Sequence, residues 1–356
     1  MRTRRRLVGV VVAGLLLGIV PPGVPATSPA QAAPPKSLRM LALERGISIG
    51  TMVATAGDYR AEEATGRTMQ TVCSEFNLIT PGNALKFGIV HPSPKRYDWV
   101  TANRVLAKAA GCGMQVIGHT LVWHLHLPAW LLRLDGRPAA VRRVLKDHIT
   151  RVVGRFAGRI SAWDVVNEAV LPDGRLRDSF WLRNLGPRYV LDAFRWARQA
   201  DPTATLYYND YGNEGVGDKT NAVHGWLRTW LGQGAEIDGA GLQVHRRLRG
   251  ATWFAMAHTM RRYARLGLVT RVSEMDVALD LPADDGRLAN QAVVFYDAMR
   301  ACLSPGTRCE TFTVWGVSDR YWTEGGAKRC CGLLFSREFK KKPAYFGLVA
   351  ALRQAA

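Results

Sequence analysis

The stretch Trp163-Asp164-Val165-Val166-Asn167-Glu168 opens as an apolar, β-branched run and closes on Asn-Glu. Its first half suits a buried strand. Its second half does not suit a core, because an ionised carboxylate is costly to bury unpaired. A strand that ends in Asn-Glu delivers those groups to a rim, and in parallel α/β proteins the carboxyl-end rim is where chemistry is built. A surface Glu after a core strand is the bland alternative. Val272-Ser273-Glu274-Met275-Asp276 weighs against it, since a second strand far along the chain also ends in a carboxylate. Two such ends are what a catalytic carboxylate pair requires.

Outward from these two strands the chain alternates. β-branched runs at Ile47–Val53, Leu78–Pro81, Gln115–Trp123, Ala162–Glu168, Thr205–Tyr211, Gly239–His245, Val269–Asp276 and Thr311–Val317 read as eight strands. Helix-period stretches fill the gaps: Arg60–Phe76, Val100–Ala110, Ala139–Phe156, Pro187–Ala200, Lys219–Gly232, Trp253–Arg265, Leu288–Cys302 and Pro343–Leu352. Strand-helix alternation repeated eight times predicts a single α/β domain, a (β/α)₈ TIM barrel. An open doubly wound sheet is the rival, but it normally carries a glycine-rich phosphate turn after an early strand, and 50–57 does not match one.

Polar and aromatic residues gather at the predicted strand ends. Asn83 and Lys86 follow the second strand, and His119, Trp123, His124 and His126 lie on or after the third. Asn167 and Glu168 end the fourth, Asn209, Asp210 and Tyr211 the fifth, Gln243 and His245 the sixth, Glu274 and Asp276 the seventh, Trp315 and Asp319 the eighth. Any one of these is ordinary, and a satisfied core histidine is commoner than a functional one. All of them on one rim describe a site. The sequence carries no metal-ligand spacing, no Gly-x-Ser-x-Gly elbow and no phosphate loop. What is left is two carboxylates, several Trp and many neutral hydrogen-bonding groups. That set fits a sugar polymer: Trp faces stack on pyranose rings, amides and His bond hydroxyls, and two carboxylates cleave through an oxocarbenium-like state.

Five motifs in order carry a resemblance over nearly all of the chain past the leader: His119-Thr120-Leu121-Val122-Trp123-His124, Trp163-Asp164-Val165-Val166-Asn167-Glu168-Ala169, Gly241-Leu242-Gln243-Val244-His245, Ser273-Glu274-Met275-Asp276 and Val314-Trp315-Gly316-Val317-Ser318-Asp319. The chain resembles the family 10 glycoside hydrolases, the endo-1,4-β-xylanase family. The resemblance implies the (β/α)₈ fold and retention of anomeric configuration. It makes Glu168 the general acid/base and Glu274 the nucleophile, with Asp276 supporting the nucleophile by holding His245. Retention requires the two carboxyl groups to stand about 5–5.5 Å apart. Glu168 must hold a proton when the leaving oxygen departs and lose it to activate water. Ionised Glu274 favours the protonated form, and glycosylation removes that influence. Asn167 matches the residue that bonds the sugar 2-hydroxyl. His119, Lys86, Asn83, Gln243, Trp123 and Trp315 match the shell around the sugar upstream of the cut, and His126, Tyr211 and Trp322 are further candidate substrate contacts. No cofactor and no metal are implied.

The chain departs from the family pattern at several positions. Gly82 stands where the family has Glu, and Leu125-His126 where it has Ser-Gln. Trp322 comes one residue early, Gln243-Val244-His245 is followed by Arg246-Arg247-Leu248, and Gly332-Leu333-Leu334-Phe335-Ser336 replaces a Pro-Leu-Leu-Phe-Asp pattern. The changes at Gly82 and His126 fall where the family grips the second sugar upstream. Loss of a charged acceptor there weakens that subsite by about 1.5–3 kcal/mol. The altered subsite leaves a second reading open, in which the same machinery acts on another β-glycoside: a different wall glycan, an aryl glycoside or a saponin. A non-catalytic sugar-binding barrel is a third, opposed by the intact Glu pair.

The first residues read as an export leader. Arg2, Arg4, Arg5 and Arg6 form a basic region, Leu7–Val20 an apolar one, and Ala30-Gln31-Ala32 a small-x-small cleavage site. Residues 1–32 are thus expected to be removed, leaving 33–356 as the catalytic domain of a secreted protein. Arg4-Arg5 also fits a twin-arginine signal, and an uncleaved anchor is the alternative. Removing four arginines takes the formal charge from +19 to +15. Scattered basic residues with no recognition motif do not make a nucleic-acid binder. The charge suits adhesion to acidic wall polymers or uronate-bearing glycans, and an arginine-rich genome would produce it with no function. Nothing in the chain calls for stable membrane insertion after cleavage, and a monomer is expected. Six cysteines in an exported chain point to disulfides. Cys302 and Cys309 are spaced to staple a short connection, Cys73 and Cys112 each end a helical stretch, and Cys330-Cys331 is either a vicinal pair or two partners of others.

Overall fold

The computed structural model describes residues 36–53, 66–247, 252–320, 322 and 328–354, with Arg247 described by its backbone. The leader, the start of the first predicted helix at Arg60, and Leu248, Tyr321 and Thr323 lie outside the described residues.

Ten strands are described: β1 (Ser48–Val53), β2 (Leu78–Pro81), β3 (Gln115–Val122), β4 (Ala162–Asn167), β5 (Thr205–Asp210), β6 (Gly239–Leu242), β7 (His245–Arg247), β8 (Val269–Asp280), β9 (Cys309–Val314) and β10 (Arg329–Cys330). All except β7 and β10 are parallel neighbours in the order β1-β2-β3-β4-β5-β6-β8-β9. β9 pairs back onto β1, with Ser48 opposite Thr311, and this closes the barrel. The TIM-barrel expectation holds.

The outer helices form for the expected reason, an apolar stripe facing the barrel. Pro138–Phe156 buries Val141, Leu145, Ile149, Val152, Val153 and Phe156 on one face and starts with proline, which lacks the N–H that the first turn would leave unpaired. Asp285–Leu303 is capped by Asp284, whose carboxylate accepts from Arg287 N at 2.8 Å. Gly118 is among the barrel glycines dictated by packing. A Cβ on Gly118 would come within 2.2 Å of the Trp163 ring.

Six strands end at other residues than the sequence expectation: β3 stops at Val122, β5 at Asp210 and β9 at Val314, and three further differences shape the rim. β4 stops at Asn167 because Glu168 turns left-handed, with φ 58. β6 stops at Leu242; Val244 has φ 61, and the chain pairs again only as β7. β8 continues to Asp280, past the barrel, where β7 pairs along one side of it and β10 along the other. A three-stranded ribbon therefore stands above the rim.

The cysteines pair as Cys73–Cys112, Cys302–Cys309 and the vicinal Cys330–Cys331. No described helix is long and apolar enough to cross a membrane.

Candidate active site

At the carboxyl ends of the barrel strands lies an open cleft of about 510 Å³ lined by Lys86, His119, Trp123, Asn167, Glu168, Tyr211, Gln243, His245, Glu274, Asp276, Trp315 and Trp322. Both predicted catalytic carboxylates face it, with Glu168 14 % and Glu274 6 % exposed at the side chain.

Glu274 sits near the end of the barrel part of β8 and is held from three sides. Asn209 Nδ2 donates to its Oε1 at 2.6 Å. His119 Nδ1 lies 3.8 Å from the same oxygen, and His245 Nε2 lies 3.3 Å from Oε2. Burial acts to raise the Glu274 pKa, but His119 and His245 overcome it and hold the group below the usual carboxylate value. The result is an oriented carboxylate that is ionised at neutral pH. His245 shows the same balance from the other side. Burial alone would lower its pKa, but hydrogen bonds and charge from Asp276 and Glu274 hold it well above the ordinary value. It is an imidazolium donating to Asp276 Oδ1, 3.2 Å from Nδ1, and to Glu274.

Beneath them, Asp164 accepts from His119 Nδ1 at 3.0 Å and forms an ion pair with Arg271. Both Asp164 and Arg271 are 1 % exposed. Burial raises the Asp164 pKa, and the charges of Arg271 and His119 more than reverse it. The Asn209 amide that supports Glu274 is fixed in turn: its Oδ1 accepts from Ser273 Oγ at 2.6 Å. Gly241 makes room for it, since a Cβ there would meet Asn209 Oδ1 at 2.2 Å.

Glu168 reaches the cleft through its left-handed backbone, a strained conformation for a residue with a Cβ. Two hydrogen bonds clamp it. Its N–H donates to Asn209 O at 2.9 Å, and its carbonyl accepts from Arg177 Nε at 2.8 Å. Gln243 Nε2 donates to its Oε1 at 3.2 Å. His124 Nδ1 lies 3.9 Å from Oε2. Burial first, and the nearby Arg177 second, lower the His124 pKa, so this neighbour is neutral at pH 7.

The two carboxylates are joined by one amide network. Asn209 Nδ2, bonded to Glu274, lies 2.9 Å from the Asn167 amide. Gln243 Nε2, bonded to Glu168, lies 3.2 Å from that amide, and Trp123 Nε1 approaches it at 3.3 Å.

Of the residues predicted for the site, Asn83 and His126 are not among those lining the cleft. Asn83 forms a turn, its carbonyl accepting from Lys86 N at 3.1 Å. His126 stacks against Trp123 with ring centroids 5.5 Å apart, so it supports that ring from one side. Lys86 Nζ lies 4.6 Å from the Trp123 ring centre. Asp319, at the predicted rim, pairs instead with buried Lys342 at 2.7 Å. Glu214, Arg246, Ala278 and Arg329 also line the cleft, as does Gly212. Sequence reasoning noted the odd basic run at Arg246 but gave no sign of Glu214 or Arg329. It also missed Arg177, which bonds both the Glu168 carbonyl and, at 3.0 Å, Tyr211 Oη. Its position far from any motif offered no signal.

His119, Asp164 and Glu274 place ligand-type atoms within 4.8 Å of one another. Arg271 already balances Asp164, and Asn209 and His245 already bond Glu274, so the donors in this cluster are committed to protein partners.

Residues 37–351 match the model of Glycosyl hydrolase family 10. The chain is 37 % identical over 315 residues to endo-1,4-beta-xylanase B of Thermotoga neapolitana, covering 87 % of this chain and 90 % of that one. It is 36 % identical to endo-1,4-beta-xylanase A of Fusarium oxysporum f. sp. lycopersici over 282 residues, 76 % of this chain and 86 % of the relative. Among solved structures, xylanase 10B from Thermotoga petrophila RKU-1 in complex with xylobiose superposes with a TM-score of 0.86 at 34 % identity, covering 90 % of this chain and 98 % of that one. A barrel with these motifs at its rim, matched at this identity along nearly its whole described length, belongs to glycosyl hydrolase family 10.

Proposed function

We propose that the protein is a secreted, monomeric, retaining endo-1,4-β-xylanase that cuts xylan by double displacement. The observation that carries this reading is the amide network linking Glu274 to Glu168 across one sugar-sized cleft. The xylanase relatives and the xylobiose complex favour xylan as the polymer.

In the first step Glu274 attacks the anomeric carbon while Glu168 gives its proton to the departing glycosidic oxygen, and the glycosyl-enzyme ester forms. Glu274 needs no activation because its environment keeps it ionised. In the second step Glu168 takes a proton from water, the water oxygen attacks the same carbon, and Glu274 leaves as carboxylate. Asn167, beside the nucleophile, bonds the 2-hydroxyl. Trp123, Trp315 and Trp322 supply the ring faces on which the sugars stack. Residues 1–32 are removed on export, and the basic catalytic domain 33–356 then adheres to acidic wall polymers. Nucleic acid and membrane are not partners.

A second reading, hydrolysis of a different β-glycoside, is favoured by one observation. A Cβ on Gly82 would meet Met52 Sδ at 2.8 Å, so a thioether fills the place of the acidic group that family members use upstream. Product analysis on a panel of β-glycans, with the anomer of the first product read by NMR, tests both. Internal cutting of xylan with retained β configuration supports the proposal. No cutting of xylan beside brisk turnover of another β-glycoside overturns it.

A further inference from the structure

The ribbon above the rim is the part of the cleft that the proposed mechanism leaves unused. Along β8, alternate residues share a face, so Glu274, Asp276, Ala278 and Asp280 point the same way, and the first three line the cleft. β10 pairs antiparallel with this extension, with Arg329 opposite Asp280, which puts Arg329 on the cleft-facing side. Its side chain is 31 % exposed. Among the described residues its one ion pair is with Asp280, Nε to Oδ1 at 3.8 Å, too long for a hydrogen bond, and Asp280 is itself 71 % exposed. An exposed pair of that kind contributes little, and the guanidinium fork stays available. Arg329 is also firmly presented. Two residues on, the Cys331 carbonyl accepts from Gln291 Nε2 at 2.6 Å and Lys342 Nζ at 2.7 Å. Ala278, which also lines the cleft, carries only a methyl, and it and Arg329 form a shelf of the cleft wall. The contrast with Arg246 is clear: that side chain lies 3.1 Å from buried Glu214 and is already neutralised.

We propose that this shelf is a subsite for a carboxylate carried as a branch on the polysaccharide, that is, a uronic acid side group on the β-1,4-linked backbone, read by the Arg329 guanidinium. A planar fork of donors matches a carboxylate and has no equal partner on a neutral sugar. The positive charge of the chain, +15 in formal terms once residues 1–32 with their four arginines are removed from the +19 total, draws in such a polyanion. The inference rests on the xylanase reading and adds to it a preference among xylans.

The test compares two xylo-oligosaccharides of equal backbone length. One carries a single uronic acid branch, and the other carries the same branch with its carboxyl reduced to an alcohol. The wild-type kcat/KM is expected to favour the acidic substrate by about fivefold at low ionic strength, with the preference fading as salt is added. Arg329→Gln brings the ratio close to one. Arg353→Gln removes the same charge from the end of a helix at the opposite end of the barrel, and it leaves the ratio where it was. A wild-type ratio near one overturns the proposal. So does an equal fall of the ratio in both variants, which would assign the preference to overall charge. Cleavage of neither oligosaccharide sinks the xylanase reading itself, a distinct failure.

Discussion

Trp322 donates its indole N–H to Asp276 Oδ2 at 3.0 Å. This residue comes one position earlier than in the family pattern, yet it reaches the carboxylate that orients His245. Gly332 explains how. A Cβ there would lie 2.5 Å from the Trp322 ring, so glycine at 332 leaves the space that the indole occupies. Gly332→Ala is expected to displace the indole and lower kcat/KM by about tenfold, the scale of losing one hydrogen bond to a charged acceptor. Trp322→Phe gives a similar loss with the backbone undisturbed. Steady-state kinetics on a linear xylo-oligosaccharide, with melting temperatures alongside, decide it; full activity in both variants would show the bond to be idle.

Glu168→Ala should reduce kcat on unactivated xylan by about 10²–10⁴-fold, the usual contribution of general acid-base catalysis. Azide added to this variant should be captured on the β face, where water normally attacks. Added to Glu274→Ala, azide should give the α-glycosyl azide, because the nucleophile itself is missing. The opposite stereochemistry in the two variants would exchange the assigned roles.

In the proposed mechanism activity requires ionised Glu274, whose pKa is held below its ordinary 4.5 chiefly by His119 and His245 against the effect of burial. The acid limb of kcat/KM should therefore lie below pH 4.5. His245→Gln removes a positive neighbour and should move that limb upward. An unmoved limb in the variant would mean that His245 does not set the ionisation of the nucleophile.

His148 is fully buried, and neither ring nitrogen has a hydrogen-bond partner. Burial, with a smaller push from His91, holds its pKa well below 6.5. As pH falls below 6.5 the unfolded chain takes up a proton that the folded chain refuses, so stability drops. The slope is about 1.4 kcal/mol per pH unit and ends at the folded pKa. Above pH 6.5 the group contributes no pH dependence. His148→Leu should thus lose less melting temperature than wild type between pH 7.5 and pH 5. Identical losses would show that this histidine is not a source of acid lability.

The Cys73–Cys112 bond spans 39 residues. Closing a loop of that size in the unfolded chain stabilises the fold by about 4 kcal/mol in the chain-entropy view. The double substitution Cys73→Ala, Cys112→Ala should lower the denaturant midpoint accordingly without altering KM, since the pair lies outside the cleft. A variant with the wild-type midpoint would contradict the bond.

Much of the fold was legible because the eight barrel strands are short β-branched runs and the helices between them carry apolar stripes, both local patterns. That Glu168 and Glu274 share the cleft was legible for a related reason: a strand cannot hold an uncompensated carboxylate in its core, so Asn167-Glu168 and Glu274 had to mark the rim. The disulfide Cys302–Cys309 followed from nearness in the chain.

Long-range geometry carried the rest. Arg177 clamps the Glu168 backbone from a segment with no motif, and Arg271 neutralises Asp164 across the barrel interior. Asn83 and His126 are not among the residues lining the cleft: Asn83 opens a turn and His126 stacks on Trp123, neither visible as a pattern in the sequence. The left-handed Glu168 and Val244 break strands that composition would have continued. Periodicity and the cost of burying charge, both properties of neighbouring residues, were enough to determine the barrel and name its two acids. Which cation faces which carboxylate, and which rim residues share the cleft, depends on distances between strands that only the closed sheet establishes.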